Sequence, residues 1–178
     1  MRMDKNNEGM TLIELIIVIA ISSIVIIMVI TFINGALKGF HKTNDEVQLQ
    51  MEAQTVINQI TNIALQANSI STDLLSLDTE EDRYLLEGNT NYIIIFRRNT
   101  AKLYLKEITF EAGDTPDVKA AKAVAASYDD KENLFAEYTS EISFTMTDHN
   151  KSVLIVLTLR MGEEEYSVTK KVTLRNLL

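Results

Sequence analysis

The chain has 178 residues, a formal net charge of -8 and no cysteine, which indicates one domain with an appendage. The negative charge disfavours nucleic-acid binding driven by counterion release, because a polyanion would be repelled. The lack of cysteine excludes disulfide bonds and thiolate metal sites, so a folded domain must be held together by its apolar core.

Residues 10–33 form an apolar run with no Gly or Pro, and Glu14 is its single charged residue. As an α-helix this run would extend roughly 36 Å, enough to cross a hydrocarbon core of about 30 Å. Its many Ile and Val residues favour strand in water, but in a bilayer every backbone amide must be bonded within the segment. We therefore predict a transmembrane helix over residues 10–33.

The apolar run is also compatible with a secretory signal peptide or a plain single-pass anchor. A signal peptide has a shorter apolar stretch with a small residue after it, whereas here Gly9 precedes the run; Asn34-Gly35-Ala36 nevertheless offers a late cleavage site. A plain anchor accounts for the length but gives Glu14 no function. Acidic residues within a membrane span usually have a function. Near the start of a helix, however, the macrodipole by itself favours a negative charge, which would also account for Glu14.

The run begins with the string Gly9-Met10-Thr11-Leu12-Ile13-Glu14-Leu15. This string resembles the signature of type IV prepilins and type II secretion pseudopilins, in which a glycine precedes a large apolar residue, Thr-Leu-Ile-Glu and an apolar helix. The resemblance implies that residues 1–9 are a leader, that a prepilin peptidase cuts after Gly9, and that Met10 becomes the methylated N-terminus. The sequence departs from the family in having Met10 where phenylalanine is usual, and Ser23 and Thr31 where relatives often have Gly and Pro.

Cleavage would place a cationic amine at Met10, four residues before Glu14. Positions four apart share a helix face, so the two charges can pair within one subunit or between neighbours. An unpaired carboxylate in an apolar bundle is costly. Together with the resemblance, this predicts that Glu14 sets the register in which subunits assemble.

The resemblance also implies partners and a location. The expected partners are other pilin or pseudopilin subunits, the prepilin peptidase, the inner-membrane assembly platform and membrane lipid, with no nucleic acid and no cofactor. The head, residues 34–178, is expected outside the cytoplasmic membrane, and later in a pilus or pseudopilus on the cell surface or in the periplasm. The distribution of charge does not indicate which end of the apolar run faces the cytoplasm. Lysines follow the run, and the basic residues of the leader are offset by acidic ones.

Apolar residues continue at helical spacing past Asn34, which predicts an amphipathic helix continuous with the apolar run. Gly35 and Gly39 are possible flex points between the two halves. The apolar face is formed by Leu49, Ala53, Val56, Ile57, Ile60, Ile63, Ala64 and Ala67.

A hairpin is predicted from residues 92–98, a strand expected to be buried on both faces, and residues 103–110. The alternation of apolar residues shifts by one position between Leu105 and Ile108, which predicts a bulge or a break in the strand. Residues 69–88 are polar and acidic and predict a loop with short structure, and residues 111–133 predict an insertion with a weak helix.

The last third predicts a meander of three antiparallel strands, with turns at residues 148–151 and 162–164. Packed on the helix, these strands would form a single covered sheet. The predicted fold class is therefore α+β, with a long N-terminal helix packed on an antiparallel β-sheet head, the architecture that the resemblance to pilins also implies. The positions that carry the strand alternation are Ile142, Phe144, Met146, Tyr166, Val168, Val172 and Leu174.

The sequence offers few residues for catalysis or ligand binding. His41 and His149 have no evident partner, so no enzyme activity is predicted. Glu111, Asp114 and Asp117 have the chemistry to bind calcium, but their spacing is not that of an EF-hand and a solvated acidic loop accounts for them better.

The prediction is therefore a structural subunit of a type IV pilus, a competence pseudopilus or a type II secretion pseudopilus. The ending Leu174-Arg175-Asn176 resembles those of minor pilins of the PilW and J-type pseudopilin group, which favours a minor subunit. The alternative is a single-pass membrane-anchored binding domain that does not polymerise. A membrane-anchored enzyme is a third possibility with no residues to support it.

Overall fold

A computed structural model describes residues 10–71, 80–129, 131–149 and 151–174. The chain forms two compact units, Met1–Asn44 and Asp45–Leu178. The architecture is α+β, as predicted, with a long N-terminal helix followed by antiparallel sheets. In chain order the elements are α1 (Leu12–Gln66), β1 (Ala67–Ser71), β2 (Glu81–Gly88), β3 (Asn91–Arg97), β4 (Lys102–Ile108), α2 (Pro116–Ala125), β5 (Leu134–Ala136), β6 (Thr139–Thr147), β7 (Ser152–Met161) and β8 (Glu164–Thr173).

The apolar run lies in the first part of α1, which is long and apolar enough to cross a membrane. A window of 18 residues within it has a mean hydropathy of 3.2, and none of that window is buried by the residues that the structure describes. The hydroxyls of Ser23 and Thr31 donate to the carbonyls of Ala20 and Ile27 at 2.7 and 2.8 Å, so both are satisfied inside the helix. The helix continues past Gly35 without a break.

The strands form two antiparallel sheets, in the orders β1-β2-β3-β4-β5 and β6-β7-β8. The meander of the last third is confirmed, and its three strands form one sheet as predicted, while the predicted hairpin lies in the other sheet as β3 and β4. The chain passes from one sheet to the other at Tyr138. Its left-handed φ of 56° turns the backbone away from the direction of β5. The bend is fixed by two hydrogen bonds, from Arg160 N to the Tyr138 carbonyl at 2.7 Å and from Thr139 N to the Ala101 carbonyl at 2.8 Å.

The main core lies where the later part of α1 meets both sheets. Its largest buried side chains each contribute about 1.5–3 kcal/mol when fully removed from water. The predicted helical face is confirmed, except that Ile63 is half-buried and Ala67 begins β1. The buried helix residues are Leu49, Ala53, Val56, Ile57, Ile60 and Ala64. Leu174, which directly follows β8, also belongs to the core. From the sheets come Leu86, Ile94, Phe96, Leu103, Ile142, Phe144, Val153, Ile155, Leu157, Leu159 and Val172.

Strand β3 is buried on both faces, as predicted. Ile94 and Phe96 belong to the main core, whereas Ile93 and Ile95 belong to a second cluster with Tyr104 and Ala123 of α2. The weak helix predicted within residues 111–133 is therefore α2, and it covers the outer face of the five-stranded sheet.

One local prediction for this sheet was incomplete and another was wrong. Residues 69–88, predicted as a loop with short structure, contain β2 and most of β1, because Leu85 and Leu86 are buried among otherwise polar residues. Residues 72–79 lie outside the described part of the chain. The pairing of β3 with β4 is regular from Asn91 to Arg97. The irregularity lies on the other side of β4, between Leu103 and Tyr104, where β5 pairs.

Helix α2 buries few apolar side chains and is fastened to the sheet by a polar cluster. The guanidinium of Arg83 donates to carbonyls at the end of the helix and, at 2.9 Å, to the carboxylate of Glu81. Glu81 also accepts from Tyr128 Oη at 2.6 Å and lies 3.4 Å from Arg97 Nε. Burial alone would raise the pKa of Glu81, but the bonds from Tyr128 and Arg83 and the nearby positive charges outweigh it and lower that pKa. The three carbonyls, bonded by Arg83 Nη1 at 3.0, 2.7 and 3.1 Å, are those of Ala123, Val124 and Ala126.

Candidate functional site

The N-terminus of α1 is capped by reciprocal hydrogen bonds between Thr11 and Glu14. The backbone N–H and the hydroxyl of Thr11 both donate to Glu14 Oε2, at 2.9 and 2.8 Å. The backbone N–H of Glu14 points back to Thr11 Oγ1 at 3.4 Å. This arrangement is a capping box, in which the first and fourth residues satisfy each other's free amides. It also places a carboxylate at the positive end of the helix dipole.

The capping role of Glu14 was missed in the sequence, although a signal for it is present. Thr11 followed three residues later by Glu14, ahead of an apolar run, is the pattern of a capping box. The structure therefore gives Glu14 a function inside a single chain. The predicted pairing with the Met10 amine of a neighbour is a separate matter, because it involves a second, cleaved subunit.

The other predicted site residues lie next to this cap. Met10 is exposed and precedes α1 by two residues, and Gly9 lies outside the described residues. Thr11 and Glu14 are also exposed, so the described part of the chain leaves this end of the helix open to a peptidase or to another subunit.

The candidate calcium loop is held by hydrogen bonds within the chain. Asp114 Oδ2 accepts from Lys122 Nζ at 2.7 Å and from the backbone N–H of Glu111 at 2.9 Å. The hydrogen bond from Lys122 is the main reason that the pKa of Asp114 is lowered. Asp114 therefore ties the loop to Lys122 in the last turn of α2, and Glu111 donates its backbone amide to Asp114.

The two remaining candidates for chemistry, His41 and His149, are both exposed in the structure. His41 is exposed and meets the Phe40 ring edge-on, with 6.2 Å between centroids. His149 is exposed in the turn after β6. Among the described residues no group of three or more His, Asp or Glu side chains is placed to hold a metal ion.

The N-terminal segment matches a known protein family. The family described as the prokaryotic N-terminal methylation motif matches residues 4–30, a range that includes Gly9, Met10 and Glu14. The match supports a pilin- or pseudopilin-type subunit of the kind that a prepilin peptidase processes and that contacts other pilin subunits. This class of protein is structural and non-enzymatic, and its motif together with the apolar helix supports membrane anchoring. No curated protein and no solved structure matches the chain.

Proposed function

We propose that the chain is a minor structural subunit of a type IV pilus or of a pseudopilus, such as those of competence and type II secretion. Residues 1–9 are a leader removed after Gly9, Met10 is then N-methylated, residues 10–33 span the cytoplasmic membrane, and residues 34–178 form an extracytoplasmic head. One observation carries the proposal: the methylation motif stands at the start of a helix that, among the described residues, is long and apolar enough to cross a membrane.

The assignment as a minor subunit rests on the C-terminal residues alone. The ending Leu174-Arg175-Asn176 is similar to the endings of minor pilins of the PilW and J-type group, and residues 175 and 176 lie outside the described part of the chain. The assembly platform and membrane lipid are expected partners under the same proposal.

Glu14 has the geometry to serve both the cap and a neighbouring subunit. Both bonds from Thr11 go to Oε2, so within the described residues Oε1 is available to an outside donor. The cationic amine created at Met10 by cleavage is such a donor. A subunit that meets this oxygen with the amine of its neighbour is fixed in register along the helix axis, since neither charge is stable alone in an apolar bundle.

Glu14→Gln tests the proposal sharply, because glutamine also serves in the fourth position of a capping box. The substitution keeps the cap and removes only the charge. We expect the variant to be inserted in the membrane and cut to begin at N-methylated Met10, as intact mass will show. We expect it to be depleted from sheared surface filaments and from crosslinks to partner pilins.

Thr11→Ala is the matched control, because it removes the hydroxyl of the cap and keeps the charge. If this control is depleted as strongly as Glu14→Gln, helix capping rather than charge pairing governs assembly. Normal incorporation of Glu14→Gln would show that the charge has no role in docking. A retained leader in the native host would favour the single-pass binding domain that does not polymerise, and a mature start near Leu37 would indicate an ordinary signal peptide.

A further inference from the structure

A basic face follows the apolar run of α1. No acidic residue occurs between Leu15 and Asn44, and the only lysines or arginines there are Lys38 and Lys42. Residues four apart lie on one helix face, and the unbroken helix preserves that spacing. Both side chains belong to exposed residues. Lys42 also has an interaction within the chain, so Lys38 is the better placed of the two for an outside partner.

The spacing places these lysines at the surface of a bilayer. Lys38 lies five residues beyond Ile33, a rise of roughly 7.5 Å, and Lys42 lies roughly 13.5 Å beyond it. The headgroup layer on each side of the hydrocarbon core is roughly 5–7 Å thick. Lysine side chains bend their stems along apolar surface toward the nearest polar layer. The ammonium of Lys38 therefore reaches the phosphates, and that of Lys42 lies just above them.

Apolar residues on another side of the same segment support this placement. Leu37 and Phe40 are 51% and 68% exposed and are three residues apart, so they share a face. A helix that presents exposed apolar side chains on one face and lysines on another is suited to the boundary between acyl chains and headgroups.

We propose that Lys38, assisted by Lys42, binds the phosphate groups of anionic phospholipid and fixes the depth of the subunit in the membrane before assembly. The charges are complementary, and lipid is the partner that the distance from the apolar run selects. The inference rests on the proposed membrane span but not on its orientation, because the lysines lie at the same distance from the span in either direction. Entry into a filament removes the helix from the bilayer, so this contact must be released at that step.

Lipid selectivity of the full chain tests the proposal. Because the sequence has no cysteine, Asn34→Cys gives one site for a fluorophore beside the basic face: Asn34 is exposed and lies four residues before Lys38, on the same side of the helix. The labelled protein is reconstituted in vesicles of phosphatidylcholine and phosphatidylglycerol, and quenching by brominated forms of each lipid reports which one lies next to the helix. A lysine near an anionic surface favours the anionic lipid by about fivefold. We expect a preference of that order, lowered by Lys38→Gln and abolished when Lys42→Gln is added.

The matched control is the pair Lys131→Gln and Lys170→Gln, which removes the same charge from two exposed residues of the head. This control must keep the preference. Equal selectivity in the Lys38→Gln, Lys42→Gln variant, or equal loss in the control, would overturn the inference while leaving the membrane span intact. Alkaline extraction of the unsubstituted chain from the vesicles would instead overturn the span itself and the inference with it.

Discussion

Arg83 is the residue whose loss should most weaken the attachment of α2 to the five-stranded sheet. Its guanidinium caps the end of α2 and pairs with Glu81, and the two side chains are only 15% and 14% exposed. Arg83→Met keeps the apolar stem of the side chain and removes every one of these bonds.

The cost can be worked out from the geometry. Hydrogen bonds to a charged group are worth about 1.5–3 kcal/mol each, but the three carbonyls share one nitrogen and are not independent. Breaking a buried ion pair costs about 3–5 kcal/mol. Here the cost is lower, because Arg97 and Tyr128 remain beside Glu81. We expect Arg83→Met to lower the free energy of unfolding by about 2–4 kcal/mol.

The measurement is urea unfolding, followed by circular dichroism, of a fragment of residues 42–178, which contains the compact head. Arg98→Met is the control, because Arg98 pairs with Asp82 at 2.5 Å but its side chain is 50% exposed. Surface pairs of this kind contribute about 0–1 kcal/mol. If the two substitutions cost the same, or if Arg83→Met costs less than the control, the argument from burial is refuted.

Two further predictions concern the same sheet and the same fragment. Burial, followed by the hydrogen bond to Glu81, raises the pKa of Tyr128 from 10.0 to about 12. The stability that the neutral phenol contributes is therefore complete below about pH 10 and is lost as the pH rises through about 12. In Tyr128→Phe, the urea midpoint of unfolding should therefore fall less steeply over that pH range. An equally steep fall in the variant would contradict the assignment of this pH dependence to Tyr128. Separately, a Cβ on Gly88 would lie 2.7 Å from the Gln66 carbonyl oxygen, so Gly88→Ala should cost about 1–3 kcal/mol. Ser140→Ala, at an exposed strand position, should leave the midpoint unchanged within error.

Much of the fold was accessible from periodicity, because burial follows the repeat of each element. The helical face from Leu49 to Ala64 was predicted from its spacing, and the strand around Ile94 from its run of isoleucines; both are confirmed. Strand β2 was missed because its burial rests on Leu85 and Leu86 within a polar segment. The division into two sheets depends on a left-handed Tyr138, and a tyrosine gives no sequence signal for such a conformation.

The candidate site could be predicted only in part, because the sequence gives the positions of its residues but not the groups that they contact. The positions of Gly9, Met10 and Glu14 follow from a linear motif, and the family match covers the same range. What Glu14 contacts depends on which donors surround it. A single chain supplies Thr11, whereas the donor expected in an assembly belongs to another subunit and arises only after cleavage.

The burial of β3 on both faces has a consequence for how the head is made. Four consecutive residues, Ile93 to Phe96, are buried, and the helix that covers one side of them begins only at Pro116. During synthesis this strand therefore leaves the ribosome before its cover does. Short uncharged segments of high β-propensity are the ones that stack into aggregates when exposed. The interval before α2 docks is thus the vulnerable stage in the production of this protein, and substitutions that slow docking should reduce yield before they affect the finished fold.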